Sequence, residues 1–257
     1  MFDEQVTIIS NEPIAPSLHI VELAAPQIAS CAEPGQFVHL RIPDFEGHVL
    51  RRPFSIYRWD GGSGTISIMY QTVGAGSDRL AEARPGATTM AIGPIGRGWQ
   101  PPSGVQRAVL VCGGVGVAPL TMLAGQLIAG GAAVTCLVGA TTAERLVGVE
   151  VLESVGADVR IATDDGTAGH HGFCTDLLAE CAEAPGYIAI CGPGPMEKAA
   201  VARAAELWGA DCACEVSVER RMACGIGACL SCVVETVDGR KRACVDGPVF
   251  DAAEVVW

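Results

Sequence analysis

Over roughly the first hundred residues, apolar positions come in short alternating runs that never settle into a helical period. The runs at residues 5–9, 19–23, 36–41, 54–58 and 65–70 are separated by turn formers, among them Pro34-Gly35, Asp60-Gly61-Gly62 and Pro85-Gly86. A period of two sends successive side chains to opposite faces of a strand, and Gly and Pro close each run. This spacing predicts a small antiparallel barrel. Gly98-Trp99-Gln100-Pro101-Pro102-Ser103-Gly104 has the composition of a linker. After Val105, β-branched runs alternate with helical stretches, predicting helices at 119–129, 143–155, 173–182 and 195–208 in a parallel doubly wound sheet. From Asp211 the chain is cysteine-rich and too short to bury a core unaided. The expected fold class is therefore multi-domain. An antiparallel β-barrel spans 1–102, a Rossmann-like α/β sheet 103–210, and a small C-terminal domain 211–257, which a bound metal group would keep ordered.

One stretch, residues 108–143, carries no charged side chain and is longer than the ~20 residues that cross a bilayer. Gly113, Gly114, Gly116, Pro119, Gly125, Gly130, Gly131 and Gly139 interrupt it, and a β-branched run stands on either side of the first glycines. Strands buried on both faces read as continuous apolar runs, so the stretch is expected to be a buried β–α–β unit and no membrane partner is expected. The opening Met1-Phe2-Asp3-Glu4-Gln5 lacks the basic segment and apolar core of a secretion signal, which points to the cytoplasm. Hydrophobic residues at 49% against charged residues at 18% exclude a disordered chain. A net charge of −12 argues against nucleic acid as a partner, because that binding needs clustered Lys and Arg.

Twelve cysteines are unusual for a chain of this length. Without a secretion signal, metal ligation or buried thiols are the default, not disulfides. Cys31, Cys112, Cys136, Cys174, Cys181 and Cys191 are scattered, whereas the other six fall between Cys212 and Cys244. Cys224, Cys229 and Cys232 have the C-x4-C-x2-C spacing of the first three ligands in plant-type [2Fe–2S] ferredoxins, and Cys244 supplies a fourth thiolate. The small residues between Cys224 and Cys229 let a loop wrap a cluster and aim its N–H groups at sulfur. A structural zinc site or four unrelated buried thiols are the plainer alternatives, but zinc sites usually add a second short-spaced pair, which this tail lacks. The Cys212-Ala213-Cys214 pair reads as buried thiol.

Two other regions carry binding chemistry. In Arg51-Arg52-Pro53-Phe54-Ser55-Ile56 an Arg fork suits a diphosphate, Ser55 brings a hydroxyl, and Pro53 pre-sets the backbone against a flat ring. Met69-Tyr70-Gln71 ends a strand, and Gly74-Ala75-Gly76-Ser77 opens a helix N-terminus of the kind that attracts pyrophosphate. The bland reading of the Arg pair is solvated charge. The run from Val109 to Pro119 is a strand entering a glycine-rich turn at Gly113, Gly114 and Gly116, then a helix. It departs from G-x-G-x-x-G at Pro119, and a simple tight turn is its alternative. Cys191-Gly192-Pro193-Gly194-Pro195-Met196 ends a later apolar strand, where open α/β sheets place ligands. Thr163-Asp164-Asp165-Gly166-Thr167 follows another strand and could meet a nicotinamide ribose or form a polar turn. After Val138 no basic group follows immediately, Arg145 being the first, which leans toward NAD over NADP.

In this order, the motifs at Arg52–Ser55, Gly113 to Pro119 and Cys191 to Met196 resemble the ferredoxin–NADP reductase superfamily. The tail is more specific. Glu219-Arg220-Arg221-Met222-Ala223-Cys224 running on to Cys229, Cys244-Val245-Asp246-Gly247-Pro248-Val249-Phe250-Asp251, and the terminal Glu254-Val255-Val256-Trp257 resemble the electron-transfer subunits of dihydroorotate dehydrogenase B, over essentially the whole chain. That resemblance implies FAD held at Arg52, Pro53, Phe54, Ser55, Met69, Tyr70, Gln71, Gly76 and Ser77. It also implies a [2Fe–2S] cluster on Cys224, Cys229, Cys232 and Cys244, and NAD(H) as substrate near Gly113, Gly114, Gly116, Cys191 and Gly192. Two departures stand out from the superfamily: Phe54 replaces a common tyrosine and removes one hydroxyl, and Ser77 replaces a threonine but keeps its hydroxyl.

The resemblance implies an incomplete oxidoreductase that needs a partner. Electrons would come from the FMN of a dihydroorotate dehydrogenase catalytic subunit, cross the cluster to FAD and leave as hydride to NAD⁺, in a dimer of heterodimers. No nucleophile or acid–base pair is expected in this chain. The alternatives are the small subunit of an NADH-dependent ferredoxin–NADP oxidoreductase or a sulfide dehydrogenase, the NAD(H)-linked subunit of another flavin oxidoreductase, and a non-enzymatic flavin and iron–sulfur redox sensor.

Overall fold

The computed structural model describes residues 1–45, 47–181, 183–209 and 212–257. Seven strands build the N-terminal part: β1 (Phe2–Ala15), β2 (Leu18–Ala24), β3 (Phe37–Leu40), β4 (Arg52–Ser55), β5 (Arg58–Asp60), β6 (Thr65–Gln71) and β7 (Thr88–Ile95). They form one antiparallel sheet in the order β4-β3-β7-β1-β2-β6-β5. The sheet curls so that the two sides of β4 and β6 meet, the N–H of Tyr57 donating to the carbonyl of Ser67 at 2.8 Å. Alternation sets its inside: Val6, Ile8, Val21, Leu23, Val38, Leu40, Ile66 and Ile68 share one buried core. The sequence pattern misses β7, because Thr88-Thr89-Met90-Ala91 is only weakly apolar before the Gly93-Pro94 pair. Tertiary pairing with β1 and β3 makes it a strand. Inside the rim, the buried carboxylate of Glu4 accepts the N–H groups of Gln27 and Ile28 at 3.2 and 2.8 Å. It thereby satisfies orphan donors of the short helix α1 (Pro26–Ala29).

The central sheet is mostly parallel. Its strands are β8 (Arg107–Gly113), β9 (Ala133–Ala140), β10 (Asp158–Thr163), β11 (His170–His171), β12 (Tyr187–Cys191) and β13 (Cys214–Ser217). The tail adds the antiparallel hairpin β14 (Val233–Thr236) and β15 (Gly239–Arg242), and then β16 (Val249–Asp251). The order across the sheet is β11-β10-β9-β8-β12-β13-β16, with β16 antiparallel to β13. Along β8, Ala108, Leu110 and Cys112 face one core and Val109 and Val111 face another, as expected for a strand covered on both sides. Besides α1, the described helices are α2 (Ala75–Ala81) on the barrel, then α3 (Ala118–Ala129), α4 (Val149–Ser154) and α5 (Gly194–Trp208) around the central sheet. The charge-free stretch 108–143 holds all of β8 but Arg107, then α3 and the whole of β9, and among the described residues no helix is long and apolar enough to cross a membrane.

Two expected helices are shorter than the pattern implied. Residues 143–155 split into a 3₁₀ turn, Ala143–Arg145, and α4, because Leu146 is extended and Gly148 has φ +78°. A side chain at Gly148 would stand 2.7 Å from Val117, so this glycine also lets the chain pass close to the turn after β8. Residues 173–182 hold only a 3₁₀ stretch, Asp176–Glu180, and Ala182 lies outside the described residues. The expected linker 98–104 is partly pinned. Trp99 is buried and its Nε1–H donates to the carbonyl of Pro119 at 2.9 Å. The boundary proposed at 210/211 lies outside the described residues, and the tail that follows it contributes β13 and β16 to the central sheet.

Candidate functional site

Two cavities meet where the barrel faces the central sheet. The larger, about 620 Å³, opens at the carboxyl ends of β8, β9, β10 and β12, where open α/β sheets bind ligands. Gly113, Gly114, Gly139, Thr141, Arg145, Asp164, Phe173, Cys174, Pro193 and Met196 are among the residues that line it. The smaller, about 270 Å³, lies between Pro53-Phe54-Ser55 and Met69-Tyr70-Gln71 of the barrel on one side and Ser217 to Arg220 with Met222 of the tail on the other. Gln71 and Val115 line both. The smaller space is below the ~300–1,000 Å³ of a whole-ligand site. Its lining of strand residues and apolar side chains suits the ring of a flavin. Met222, on its wall, is two residues from Cys224.

The glycine turns of the larger cavity are set by close backbone approach. A Cβ on Gly116 would stand 2.2 Å from the carbonyl oxygen of Cys191, and one on Gly113 would stand 2.5 Å from Met196 Sδ. Gly116, Cys191 and Gly192 therefore form the floor under the cavity and do not line it. Just behind this floor the buried carboxyl of Glu197 accepts the N–H of Gly192 at 3.2 Å. Burial, reinforced by the nearby charge of Glu219, pushes Glu197 up to about 8 despite that hydrogen bond.

The residues expected at FAD separate into two groups. Pro53, Phe54, Ser55, Met69, Tyr70 and Gln71 line the smaller cavity. Tyr70 is held there by its O–H donating to Asn11 Oδ1 at 2.9 Å and by the Phe54 ring, edge-on at 5.7 Å. Arg52, Gly76 and Ser77 stand together to the side. A Cβ on Gly76 would lie 2.9 Å from Arg52 Nε, so the guanidinium runs against the start of α2. Ser77 Oγ accepts the N–H of Val73 at 2.8 Å and donates to the carbonyl of Gly74 at 2.9 Å. Its hydroxyl thus shapes the turn.

The four tail cysteines come together as two pairs. The N–H of Cys229 donates to Cys224 Sγ at 3.4 Å, and the thiols of Cys232 and Cys244 stand within electrostatic reach of each other. Burial opposes ionisation of Cys224, but the N–H groups of Ile226, Cys229 and Ala228 outweigh it and lower its pKa. Burial and then Cys232 raise that of Cys244. Gly225 and Gly227 have φ +68° and +83°, so the loop curls around its sulfurs in a conformation that side chains at these positions would resist. Among the described residues, no three ligating side chains stand at the spacing of a single metal ion. Two thiol pairs with inward N–H donors fit a two-iron cluster, in which each iron takes two protein thiolates.

Several lining residues were not legible in the sequence. Arg145 is the first basic residue after Val138. It lines the larger cavity, with Nη2 3.3 Å from Ser17 Oγ of the barrel. Phe173 and Cys174 reach the same cavity through the coil after β11, and Phe37 and the Ser217–Arg220 run close the smaller one. Apart from Glu219 and Arg220 of the tail motif, none of these carries a motif, because non-local packing brings them to the site. Asp164, in the polar Thr163–Thr167 turn, does line the larger cavity.

Residues 219–256 match the iron–sulfur cluster binding domain of dihydroorotate dehydrogenase B. Over its full length the chain is 38% identical to the "dihydroorotate dehydrogenase B (NAD(+)), electron transfer subunit" of Geobacillus sp. (strain WCH70), covering 99% of that protein. It is 36% identical to the subunit of the same name from Desulforamulus reducens, covering 98% of it. Among solved structures, the NADH-dependent reduced ferredoxin-NADP oxidoreductase, described for flavin-based electron bifurcation, superposes with a TM-score of 0.86 at 28% identity. That match covers 98% of this chain and 89% of the other.

Proposed function

The chain belongs to the family of dihydroorotate dehydrogenase B electron-transfer subunits, and from that premise we propose that it carries electrons between a dihydroorotate-oxidising FMN partner and NAD(H). It is one subunit of an NAD-dependent oxidoreductase of pyrimidine biosynthesis, working in the cytoplasm as a dimer of heterodimers. FAD would be held by Arg52, Pro53, Phe54, Ser55, Met69, Tyr70, Gln71, Gly76 and Ser77, and a [2Fe–2S] cluster by Cys224, Cys229, Cys232 and Cys244. When bound, FAD supplies the conversion between hydride, taken two electrons at a time by nicotinamide, and the single electrons of an iron–sulfur cluster.

The protein's own part is placement. The observation that carries the reading is the shared wall: Gln71 and Val115 border both cavities, and Met222 leads from the smaller one to Cys224 within two residues. The backbone at Gly113, Gly114 and Gly116 lets a dinucleotide approach β8 and α3, with Cys191 and Gly192 fixing the floor. Pro53, Phe54 and Tyr70 exclude water from one face of the smaller cavity. No side chain at either cavity needs to act as a nucleophile or a proton donor.

Anoxic co-expression with an FMN-containing catalytic subunit tests the reading. A complex with FAD, FMN and two irons per heterodimer, reducing NAD⁺ at the expense of dihydroorotate, is the expected result. A loaded complex without that activity that instead couples NADH, ferredoxin and NADP would favour the second reading, which the 0.86 TM-score to the bifurcating oxidoreductase supports.

A further inference from the structure

His39 is the residue among those described whose side-chain nitrogens are both buried and without a hydrogen-bond partner. It is 1% exposed and sits in β3, where every residue is buried. Strand alternation gives Phe37 and His39 the same face, away from the barrel core that takes Val38 and Leu40. Phe37 lines the smaller cavity. One repeat along the strand, roughly 7 Å on, the His39 ring meets the cluster loop. A Cβ on Gly225 would stand 2.7 Å from His39 Nδ1 and 3.1 Å from its Cγ, so the Cys224-Gly225 turn rests on the imidazole. The backbone carbonyls of Arg51 and Cys224 face the ring as weak acceptors, yet neither meets full hydrogen-bonding geometry with a ring nitrogen. Buried polar groups are almost always paired, and an imidazole in any protonation state has at least one N–H to give. The unpaired ring therefore points to an acceptor on the loop side.

We propose that His39 is a positioning residue for the cluster: its N–H is given to the Cys224 side of the bound cluster, seating the loop on the strand that borders the flavin cavity and raising the cluster's reduction potential. An N–H hydrogen bond to sulfur stabilises the more negative, reduced state, so its loss makes reduction harder. The proposal rests on the assignment of Cys224, Cys229, Cys232 and Cys244 to a [2Fe–2S] cluster.

The test uses the full chain in complex with its catalytic partner, with iron and sulfide measured first. His39→Phe is expected to keep FAD and NADH oxidation by an artificial acceptor. It should shift the one-electron equilibrium of the cluster about tenfold toward the oxidised form, ~59 mV in a redox titration. His39→Gln, which keeps an N–H of similar reach, should stay near the wild type. An unchanged potential in the Phe variant, or equal shifts in both, overturns the proposal while leaving the cluster assignment intact. A wild-type complex without iron removes that assignment and the proposal with it. Where the Phe variant does not load, pulsed EPR of the wild-type complex with ¹⁵N-histidine decides. A nitrogen coupling to the reduced cluster that disappears in His39→Gln with unlabelled glutamine supports the proposal, and absence of any histidine coupling overturns it.

Discussion

Gly116 and Cys191 pass so closely that a methyl group on the first would stand 2.2 Å from the carbonyl oxygen of the second. The contact is backbone on both sides, so no side chain can swing away to relieve it. The glycine-rich turn after β8 and the turn after β12 are thus locked to one another, and the larger cavity, proposed above for the nucleotide, is built on that lock.

Gly116→Ala is expected to destabilise the protein by about 1–3 kcal/mol, as overpacking of a rigid contact does. For a chain of this size that lowers the melting temperature by roughly 2–10 °C. NADH affinity should fall while flavin content, which depends on the barrel, is kept. Equal loss of both cofactors in a still-folded variant would contradict the assignment of this turn to the nucleotide.

Replacing Cys229 by Ser removes one member of the Cys224–Cys229 pair. The variant complex should lose its iron and its dihydroorotate-dependent NAD⁺ reduction together, and should still oxidise NADH with an artificial acceptor. Coupled turnover surviving in iron-free protein would rule out the cluster as the route between subunits.

Glu197 gives a pH signature. Its carboxyl, buried and raised from 4.5 to about 8, keeps its proton in the folded chain where the unfolded chain has lost it. The stability tied to this group is full below about 4.5 and drains away as the pH rises toward 8. Glu197→Gln, which preserves an acceptor for Gly192, should therefore match the wild type in acid and exceed it above pH 8, by ~2–4 kcal/mol at most. Melting curves from pH 5 to 9 read this directly. Parallel profiles for the two proteins would show that the carboxyl is solvated.

Asp164 and Arg145 share the larger cavity, proposed for the nucleotide, with opposite charge. Asp164→Ser should raise kcat/KM for NADPH about tenfold, since like charges facing one another cost more than that factor, and leave NADH within a few-fold. Arg145→Ala should weaken both nucleotides. No change in NADPH use in the Asp164 variant would place the phosphate discrimination elsewhere.

What the sequence discloses is whatever depends on local chemistry. The C-x4-C-x2-C tail, the Gly113–Gly116 turn and the Pro53–Ser55 strand are each short segments whose residue types are dictated by the shape they make. What it conceals is assembled from a distance. Gly148 looks like an interruption in a helical pattern, and only its approach to Val117 explains why the helix breaks there. Arg145 looks too far along the chain to serve the nucleotide end until that break turns it into the cavity. His39 reads as a polar lapse in an apolar strand, because nothing local says that the tail will fold over the outer face of β3.

The registry of Ser217 against Val249 has an architectural consequence. Residues 218–248, with Cys224, Cys229, Cys232 and Cys244, leave the central sheet and return to it on neighbouring strands, so the excursion begins and ends about one strand spacing apart, ~5 Å. Such a segment is a detachable accessory. A tight turn joining β13 to β16 would close the gap without disturbing the order of the remaining strands. The product would be a plain two-cavity reductase that has given up its wire to the partner.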